Sequence, residues 1–321
     1  MIHSWLQLKV AARREEAQQI CSFELIDPQG RALPPFTPGA HVDVELGPGM
    51  IRQYSLCNDP SEQHRYLIAA LREPEGRGGS VALHDTVKVA DVIRVSEPKN
   101  HFPLAANADR HLLLAGGIGV TPLLAMAEYL SRRGLDFEMH YCTRSRARAA
   151  FLERIRQSTF AKQACVHFDD GPDEQRFDAN QVLGEPLPGT HIYVCGPSGF
   201  MSHVLQTAKA RGWPDGQTHR EYFAPAEQSA TPAGQFEVEL ASSGQVFVIP
   251  ADKPIVEVLL DQGIEIPTSC DQGVCGTCLT RVISGVPDHR DSFLTDQERA
   301  RNDQMTPCCS RAKSSRLVLD L

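Results

Sequence analysis

The chain has 321 residues, 41% of them hydrophobic and 22% charged, which excludes a disordered or fibrous protein and allows two or three domains of roughly 100 residues each. Its net charge of −8 argues against nucleic acid as a partner, because no Lys/Arg stripe outweighs the acids. No run approaches the roughly 18 apolar residues that cross a bilayer, and the first residues are charged. We therefore expect no membrane association and a cytoplasmic location.

The first hundred residues contain short β-type runs, HVDVEL, RQYSLC, RYLIAAL and DVIRVS, separated by Pro/Gly turns. This pattern predicts an antiparallel barrel or sandwich. From His111 the pattern changes to an apolar strand, HLLLAG, then a glycine turn, a helix and a further strand, FEMHYC. A later strand, THIYVC, leads into another helix, and such alternation predicts a parallel α/β sheet.

A segment rich in Ala, Pro, Ser and Thr follows Phe223 and has the composition of a linker over residues 224–235. The third module begins near Phe236 and is the acidic one, since it holds most of the net negative charge. We therefore predict three domains: a β-barrel over 1–106, an α/β domain over 107–228, and a third domain with its linker over 229–321.

Cysteine spacing is the strongest motif in the chain. Cys270, Cys275 and Cys278 form C-x4-C-x2-C, and Cys308 follows after 29 intervening residues, which is the spacing of a plant-type [2Fe-2S] cluster. A four-cysteine zinc site is the alternative, although zinc modules usually carry two C-x2-C pairs. The neighbouring Cys309 is hardly separated from Cys308 by spacing alone, and the gap favours Cys308 as the fourth ligand.

Two glycines and a capping box lie close to these cysteines in the sequence. Gly273 and Gly276 lie within the cysteine loop, where they let the backbone wrap closely and direct N–H groups at the sulfurs. Between the third and fourth cysteines, Thr295 and Glu298 have the spacing of a capping box, which predicts a helix start rather than a catalytic acid cluster.

Two glycine turns follow predicted strands of the α/β domain. The segment 116–122, GGIGVTP, precedes a helix, as phosphate-binding loops do, and Cys195-Gly196-Pro197 ends a later strand. Either could be an ordinary tight turn. Because open α/β sheets bind ligands at the carboxyl ends of their strands, the pair predicts a dinucleotide crevice that includes Gly196.

The barrel also offers groups that suit a phosphate. Arg52, Tyr54 and Ser55 bring a cation, a ring and a hydroxyl close together on a predicted strand. The segment 76–80, GRGGS, supplies backbone N–H groups and a hydroxyl, and is interpreted either as a phosphate loop at a helix start or as a hairpin turn.

The succession RQYSLCND, GRGGS, GGIGVTPLLAM, YVCGPSGFM, EYF and CDQGVCGTC to CCSRAK resembles the phthalate dioxygenase reductase family, over essentially the whole chain. The resemblance implies an FMN barrel, an NAD domain and a β-grasp ferredoxin domain, in that order. It also implies an oxidoreductase that passes electrons from NADH through FMN and a [2Fe-2S] cluster to a Rieske-type terminal oxygenase.

For the flavin, the resemblance implies that Arg52, Tyr54 and Ser55 line FMN, which is favoured over FAD. It further implies that Arg52 reaches the flavin phosphate beside Gly79 and Ser80. All five residues are therefore expected in one site.

For the nucleotide, the resemblance implies that Gly117, Gly119 and Thr121 face the cofactor's phosphates and the flavin edge. It implies that Cys195 lies near the nicotinamide and that Phe223 shields the flavin ring, so these two are the expected catalytic residues. As alternatives, Cys195 is a buried strand-end thiol and Phe223 is a core residue.

Arg144, Arg146 and Arg148 lie after the second strand of the α/β domain, where the adenosine ribose is expected. An acidic residue there would bond the ribose 2′-hydroxyl, whereas arginines accommodate a 2′-phosphate. The resemblance favours NADH, Arg144 is assigned to cofactor binding, and the arginines leave NADPH open.

Two rival functions are kept. One is a reductase serving another acceptor, such as a quaternary-amine oxygenase or a cytochrome. The other is a zinc-stapled, nucleotide-binding regulator without turnover. A terminal oxygenase and NAD(P)H are the expected partners, and a monomer is expected.

Overall fold

The computed structural model describes residues 5–47, 50–223 and 234–321. The chain forms two compact units, one ending at Glu221 and the other beginning at Tyr222. The predicted linker, 224–235, lies outside the described residues except for its last two positions. Within the described ranges, no helix is both long enough and apolar enough to cross a membrane.

A six-stranded antiparallel sheet opens the first unit. Its strands run in the order β4-β3-β6-β1-β2-β5, and bridging of Leu56 to Ile68 joins the end of β4 to β5, which closes the sheet into a barrel. Its elements are β1 (Trp5–Ala17), β2 (Ile20–Ile26), β3 (His41–Glu45), β4 (Ile51–Ser55), β5 (Tyr66–Leu71), α1 (Gly79–Thr86) and β6 (Val92–Ser96).

The barrel core follows from alternation along these strands. Inward side chains such as Phe23, Leu25 and Ile68 are fully buried, while their neighbours along the chain lie on the opposite face of the sheet, where Ala69 packs in a second buried cluster. The predicted barrel is confirmed, and the segment 76–80 leads into α1 rather than forming a hairpin turn.

A five-stranded parallel sheet completes the first unit, in the order β11-β10-β7-β8-β9. Its central strands are apolar because helices cover both faces. Its elements are β7 (Arg110–Gly116), α2 (Val120–Arg133), β8 (Asp136–Thr143), α3 (Leu152–Gln157), β9 (Ala164–Phe168), α4 (Ala179–Leu183), β10 (Thr190–Cys195), α5 (Ser198–Ala210) and β11 (Thr218–Glu221).

The second unit is a mixed sheet in the order β13-β12-β18-β14-β16, in which β12 and β18 are parallel. This is the β-grasp arrangement, and the capping box of Thr295 and Glu298 begins its second helix as predicted. Its elements are β12 (Phe236–Leu240), β13 (Val246–Ile249), α6 (Ile255–Asp261), β14 (Thr280–Ser284), β15 (Pro287–Asp288), α7 (Asp296–Arg301), β16 (Gln304–Met305), β17 (Arg311–Ala312) and β18 (Arg316–Leu319).

Arg311 joins distant parts of the second unit. Its guanidinium donates to the carbonyl oxygens of Lys253 at 2.8 Å and Pro250 at 2.6 Å, and lies 4.9 Å from the ring centroid of Phe236. The arginine therefore ties the segment that follows β13 to a residue near the end of the unit.

The fold class predicted from the sequence is confirmed in all three parts. The three sheets fall within the predicted ranges 1–106, 107–228 and 229–321, while the boundaries themselves stay a prediction.

Candidate functional site

Four cysteine side chains converge in the second unit. Cys270, Cys275, Cys278 and Cys308 are each at least nine-tenths buried. The thiol of Cys270 is within hydrogen-bonding contact of Cys275 and Cys308, and Cys308 also contacts Cys278. Bonds from Cys275 and Cys308 lower the pKa of Cys270, which favours a thiolate. Sulfurs brought together by a tight loop and a distant segment suit an iron-sulfur cluster.

The arrangement of these sulfurs argues against a single zinc ion. Tetrahedral Zn–S bonds of about 2.3 Å would hold every pair of sulfurs about 3.8 Å apart. Among the described residues, the group of three ligand atoms all within 4.8 Å of one another is formed by other side chains, not by any three of these cysteines. The plant-type spacing of the four cysteines therefore remains the better fit to a [2Fe-2S] cluster.

The cysteine loop is held open by two glycines with positive φ. Gly273 has φ +67° and Gly276 has φ +70°, and a Cβ at the latter would overlap the ring of Phe293. Backbone N–H groups of Gln272 and Thr277 point at the sulfurs of Cys270 and Cys275, each at 3.4 Å. The loop therefore wraps closely and directs donors at its sulfurs, as expected from the sequence.

Cys309 contacts the sulfur of its neighbour Cys308 and two hydroxyl groups. Its Sγ lies 3.3 Å from the Thr306 hydroxyl and 3.8 Å from the Ser310 hydroxyl. A Cβ added at Gly273 would overlap this sulfur, so Cys309 packs against the outside of the loop. This geometry supports the assignment of Cys308, which stays a prediction.

In the barrel, Arg52 lies directly across the start of α1. Its Nη2 donates to the carbonyl oxygen of Arg77 at 2.8 Å, and a Cβ added at Gly79 would lie 2.6 Å from Arg52 Nε. Gly78, at the N-cap, has φ 76° and a left-handed conformation. A guanidinium beside the free N–H groups of a helix start is a fitting cradle for the phosphate of FMN.

Tyr54 and Ser80 complete the groups expected around this cradle. Arg52 and Tyr54 share one face of β4, since they are two residues apart. Burial raises the pKa of the Tyr54 phenol well above its usual range, so the ring remains neutral. The Ser80 hydroxyl accepts from the backbone N–H of Glu73 at 3.0 Å, which ties the segment before α1 to that helix.

Ser55 meets a residue to which the sequence analysis gave no role. Its hydroxyl donates to Glu221 Oε2 at 3.4 Å, although the two lie 166 positions apart. Burial raises the pKa of Glu221 to about 8, with the Ser55 bond opposing the shift. Glu221 is the register partner of Cys195 on the neighbouring strand, so three polar groups gather where β10 and β11 end.

Cys195 is fully buried among apolar side chains. Burial, with a smaller contribution from Glu221, raises the pKa of its thiol well above the usual range. The residue is therefore a neutral thiol at the end of β10 and not a nucleophile.

The two glycine turns are in direct contact. A Cβ at Gly119 would lie 2.7 Å from the backbone nitrogen of Gly196 and would overlap the carbonyl group of Cys195. A Cβ at Gly116 would lie 2.7 Å from the ring of Phe200. Gly119 and Gly196 therefore allow the start of α2 to pack on the end of β10, which brings both turns to one crevice.

Gly117 and Thr121 behave differently within the first turn. Gly117 has φ +52° and nothing within 4 Å of an added Cβ, so its side of the turn is open to a ligand. The hydroxyl of Thr121 is buried and donates to the carbonyl oxygen of Ile118 at 3.0 Å. Thr121 thus stabilises the turn from inside, and a contact between it and the cofactor stays a prediction.

Arg144 and Phe223 are the remaining residues that were expected at the cofactor sites. Arg144 is exposed directly after β8, at the carboxyl edge of the parallel sheet, where an adenosine moiety would suit its position. Phe223 is 42% exposed and belongs to the second unit. Its role in shielding a flavin stays a prediction.

Comparisons with known proteins cover the whole chain. Residues 238–313 match the family model of the 2Fe-2S iron-sulfur cluster binding domain, and 93–218 match that of the dimethylamine monooxygenase subunit DmmA-like N-terminal domain. The chain is 53% identical to a vanillate O-demethylase oxidoreductase of Pseudomonas sp. (strain HR199 / DSM 7063), covering 98% of this chain and 100% of that one.

A second vanillate O-demethylase oxidoreductase, from Pseudomonas putida, is 56% identical over 97% of this chain and 98% of its own. Among solved structures, phthalate dioxygenase reductase, described as a modular structure for electron transfer from pyridine nucleotides to [2Fe-2S], matches with a TM-score of 0.74. It is 42% identical, covering 99% of this chain and 98% of that one.

Proposed function

The chain belongs to the oxygenase-reductase family of the phthalate dioxygenase reductases and vanillate O-demethylase oxidoreductases, and from that membership we propose that it serves a Rieske-type demethylase of a methoxylated aromatic acid. The family expected from the motifs is confirmed, as is the class of enzyme, an NAD(P)H-dependent oxidoreductase that supplies an oxygenase. The cofactors of this function are FMN, NADH and a [2Fe-2S] cluster.

Sequence identity supports the choice of a demethylase as the partner oxygenase. Identity is 53% and 56% to two vanillate O-demethylase oxidoreductases, against 42% to a phthalate dioxygenase reductase, all over nearly full length. A reductase must present a surface that fits its own oxygenase, so higher identity over the whole chain favours the demethylase type.

The chain's own residues bind and orient the cofactors, while bound FMN and the cluster would supply hydride acceptance and single-electron transfer. Arg52 offers two-pronged hydrogen bonding to the flavin phosphate beside the start of α1. The paired glycine turns offer backbone N–H groups and space to the dinucleotide.

Ser55 and Glu221 set the charge of one carboxyl group at the place where hydride transfer is expected. Because the pKa of Glu221 is about 8, its carboxyl holds a proton at neutral pH and adds no negative charge where an anionic dinucleotide approaches. The Ser55 hydroxyl holds the carboxyl in place. Cys195, buried and neutral, contributes packing beside them.

Reconstitution tests this function directly. The purified chain, loaded with flavin and cluster, is mixed with the terminal oxygenase of a vanillate demethylase, NADH and vanillate, and demethylated product is measured. We expect product formation coupled to NADH oxidation, and none with Cys275→Ser, which should keep NADH-ferricyanide activity. Coupled turnover with a phthalate dioxygenase oxygenase, but not with the demethylase, would contradict the choice of acceptor.

A second acceptor is favoured by one specific observation. The match of residues 93–218 to the dimethylamine monooxygenase subunit model supports an amine monooxygenase as the alternative partner. The same reconstitution, with that oxygenase and dimethylamine, separates the two. In either case the flavin, nucleotide and cluster residues come from one chain, so we propose a functional monomer.

A further inference from the structure

Three side chains with metal-ligand chemistry meet on one face of the parallel sheet, outside the sites described above. His140 on β8 is the direct register partner of Cys165 on β9, and His167 follows two residues along the same strand. Residues two apart on a strand share a face. One ligand atom from each of the three lies within 4.8 Å of the others.

The two imidazoles face each other through their ring nitrogens. Nδ1 of His140 lies 2.9 Å from Nε2 of His167. The other ring nitrogen of His140, Nε2, lies 3.0 Å from Glu138 Oε1, and Oε2 of that carboxylate accepts from Arg110. A carboxylate only accepts, so Nε2 of His140 carries the proton and Nδ1 presents a lone pair.

His167 offers the matching nitrogen. Its ring bonds to the backbone of Gln175 and Arg176, while its Nε2 faces Nδ1 of His140 at 2.9 Å. In neutral rings both of these nitrogens can carry lone pairs, and a metal ion between them would bind both.

The pair lies in an enclosed position, since His140 is 5% and His167 8% exposed. A metal ion binds neutral imidazoles directly through such nitrogens. The carboxylate of Glu138 then orients the ligating ring from behind, as carboxylates commonly do at zinc-bound histidines.

We propose that His140, Cys165 and His167 bind one Zn²⁺ ion, with water as the fourth ligand. Two imidazoles and a thiolate suit zinc and exclude Mg²⁺ and Ca²⁺, which require oxygen ligands. Cys165 is exposed and gives the ion access from solvent. The Phe177 ring lies 6.0 Å from His140 and 5.4 Å from His167 and shields the inner side.

This site would join edge strand β9 to its neighbour β8, because its ligands come from both. It takes no part in the proposed electron transfer. Failure of the zinc site would therefore leave the reductase function untouched, and failure of the reductase function would leave the zinc site untouched.

Metal content of the holoprotein provides the test. Protein carrying flavin and cluster is equilibrated with buffered zinc, desalted and analysed by mass spectrometry for zinc and iron. We expect one zinc in addition to two irons, and a loss of zinc affinity of at least about tenfold in both Cys165→Ser and His167→Gln. His203→Ala, which removes an exposed histidine on α5, should bind zinc like wild type.

X-ray absorption at the zinc edge supplies an independent measurement. One sulfur at about 2.3 Å and two nitrogens at about 2.0 Å are expected. Absence of retained zinc, equal retention by Cys165→Ser, or uptake of zinc with loss of iron would overturn the proposal, the last because it would locate zinc at the cluster cysteines. Unchanged flavin and iron content shows that each variant is folded.

Discussion

The hydroxyl of Ser55, at the end of a barrel strand, donates to the carboxyl group of Glu221, at the end of the last strand of the parallel sheet, over 3.4 Å. Both residues are largely buried, and burial raises the pKa of the carboxyl to about 8. The bond therefore links the two sheets of the first unit through a group that changes charge near neutral pH.

Glu221 predicts a pH dependence of stability. Its folded-state pKa, about 8, lies above its ordinary 4.5, so its contribution is fully present below about pH 4.5 and is lost as pH rises through 8. The free energy of unfolding, measured by thermal unfolding from pH 5 to 9, should fall by up to about 1.4 kcal/mol per pH unit until the pH reaches about 8. Glu221→Gln should remove that part of the slope. An unchanged slope in the variant would assign the pH dependence to other groups.

The two adjacent cysteines should differ in iron binding. Cys308→Ala should lose the cluster and retain flavin, because Cys308 contacts the sulfurs of Cys270 and Cys278. Cys309→Ala should keep the cluster, because its sulfur bonds to Thr306 and Ser310 as well as to the neighbouring Cys308. Iron per chain and visible absorption measure both, and the reverse pattern would exchange the ligand assignment.

Gly119 predicts a steric effect with a matched control. Gly119→Ala places a methyl group against the backbone of Cys195 and Gly196, so it should destabilise the protein by about 1–3 kcal/mol and slow flavin reduction by NADH. Gly199→Ala, in helix α5 with nothing within 4 Å of the new methyl group, should be neutral or stabilising. Urea unfolding and stopped-flow reduction measure the two effects, and equal behaviour of the variants would refute the close approach.

Dinucleotide choice tests the arginines after β8. NADH should have the higher kcat/KM, and Arg144→Ala should change it less than about fivefold, since an exposed charge contributes under about 1 kcal/mol. The same substitution should lower the residual use of NADPH. Steady-state kinetics with both dinucleotides measure this. Equal or better use of NADPH by wild type would contradict the preference and assign a 2′-phosphate to Arg144 or Arg146.

Removal of residues from Gln235 onward should leave a folded protein that contains FMN and oxidises NADH. The first unit ends at Glu221, and hydride transfer needs only its residues and the flavin. The truncated protein should keep NADH-ferricyanide activity and lose most cytochrome c reduction and all support of the oxygenase. Full oxygenase support by the truncated protein would show that electrons do not pass through the cluster.

Local signals were enough to predict the cluster and both glycine turns. C-x4-C-x2-C and a strand followed by GGIG each occur within a few residues, and the chemistry needs that spacing. The same holds for the helix start at Thr295, whose capping box uses residues three apart.

Residues that come together only through tertiary structure could not be predicted from the sequence. In the sequence Glu221 is an ordinary polar residue of a short strand, and its contact with Ser55 of the barrel is seen only in the structure. His140 lies on β8, whereas Cys165 and His167 lie on β9, so no spacing along the chain reveals that the three are close together. Arg311 resembles a surface arginine, yet it is 6% exposed and bonds to carbonyls from distant segments.

The parallel pairing of β12 with β18 bears on how the protein is made. Glu237 on β12 pairs with Arg316 on β18, 79 positions later, so at about 5–20 residues per second β12 waits several seconds for its partner during synthesis. Cys308 also emerges after the three loop cysteines, which are left incompletely ligated meanwhile. The flavin and nucleotide unit precedes them and can fold first. The complete set of four cysteine ligands is therefore available only after that unit has been synthesised, and the three loop thiols are open to oxidants and competing metals in the interval.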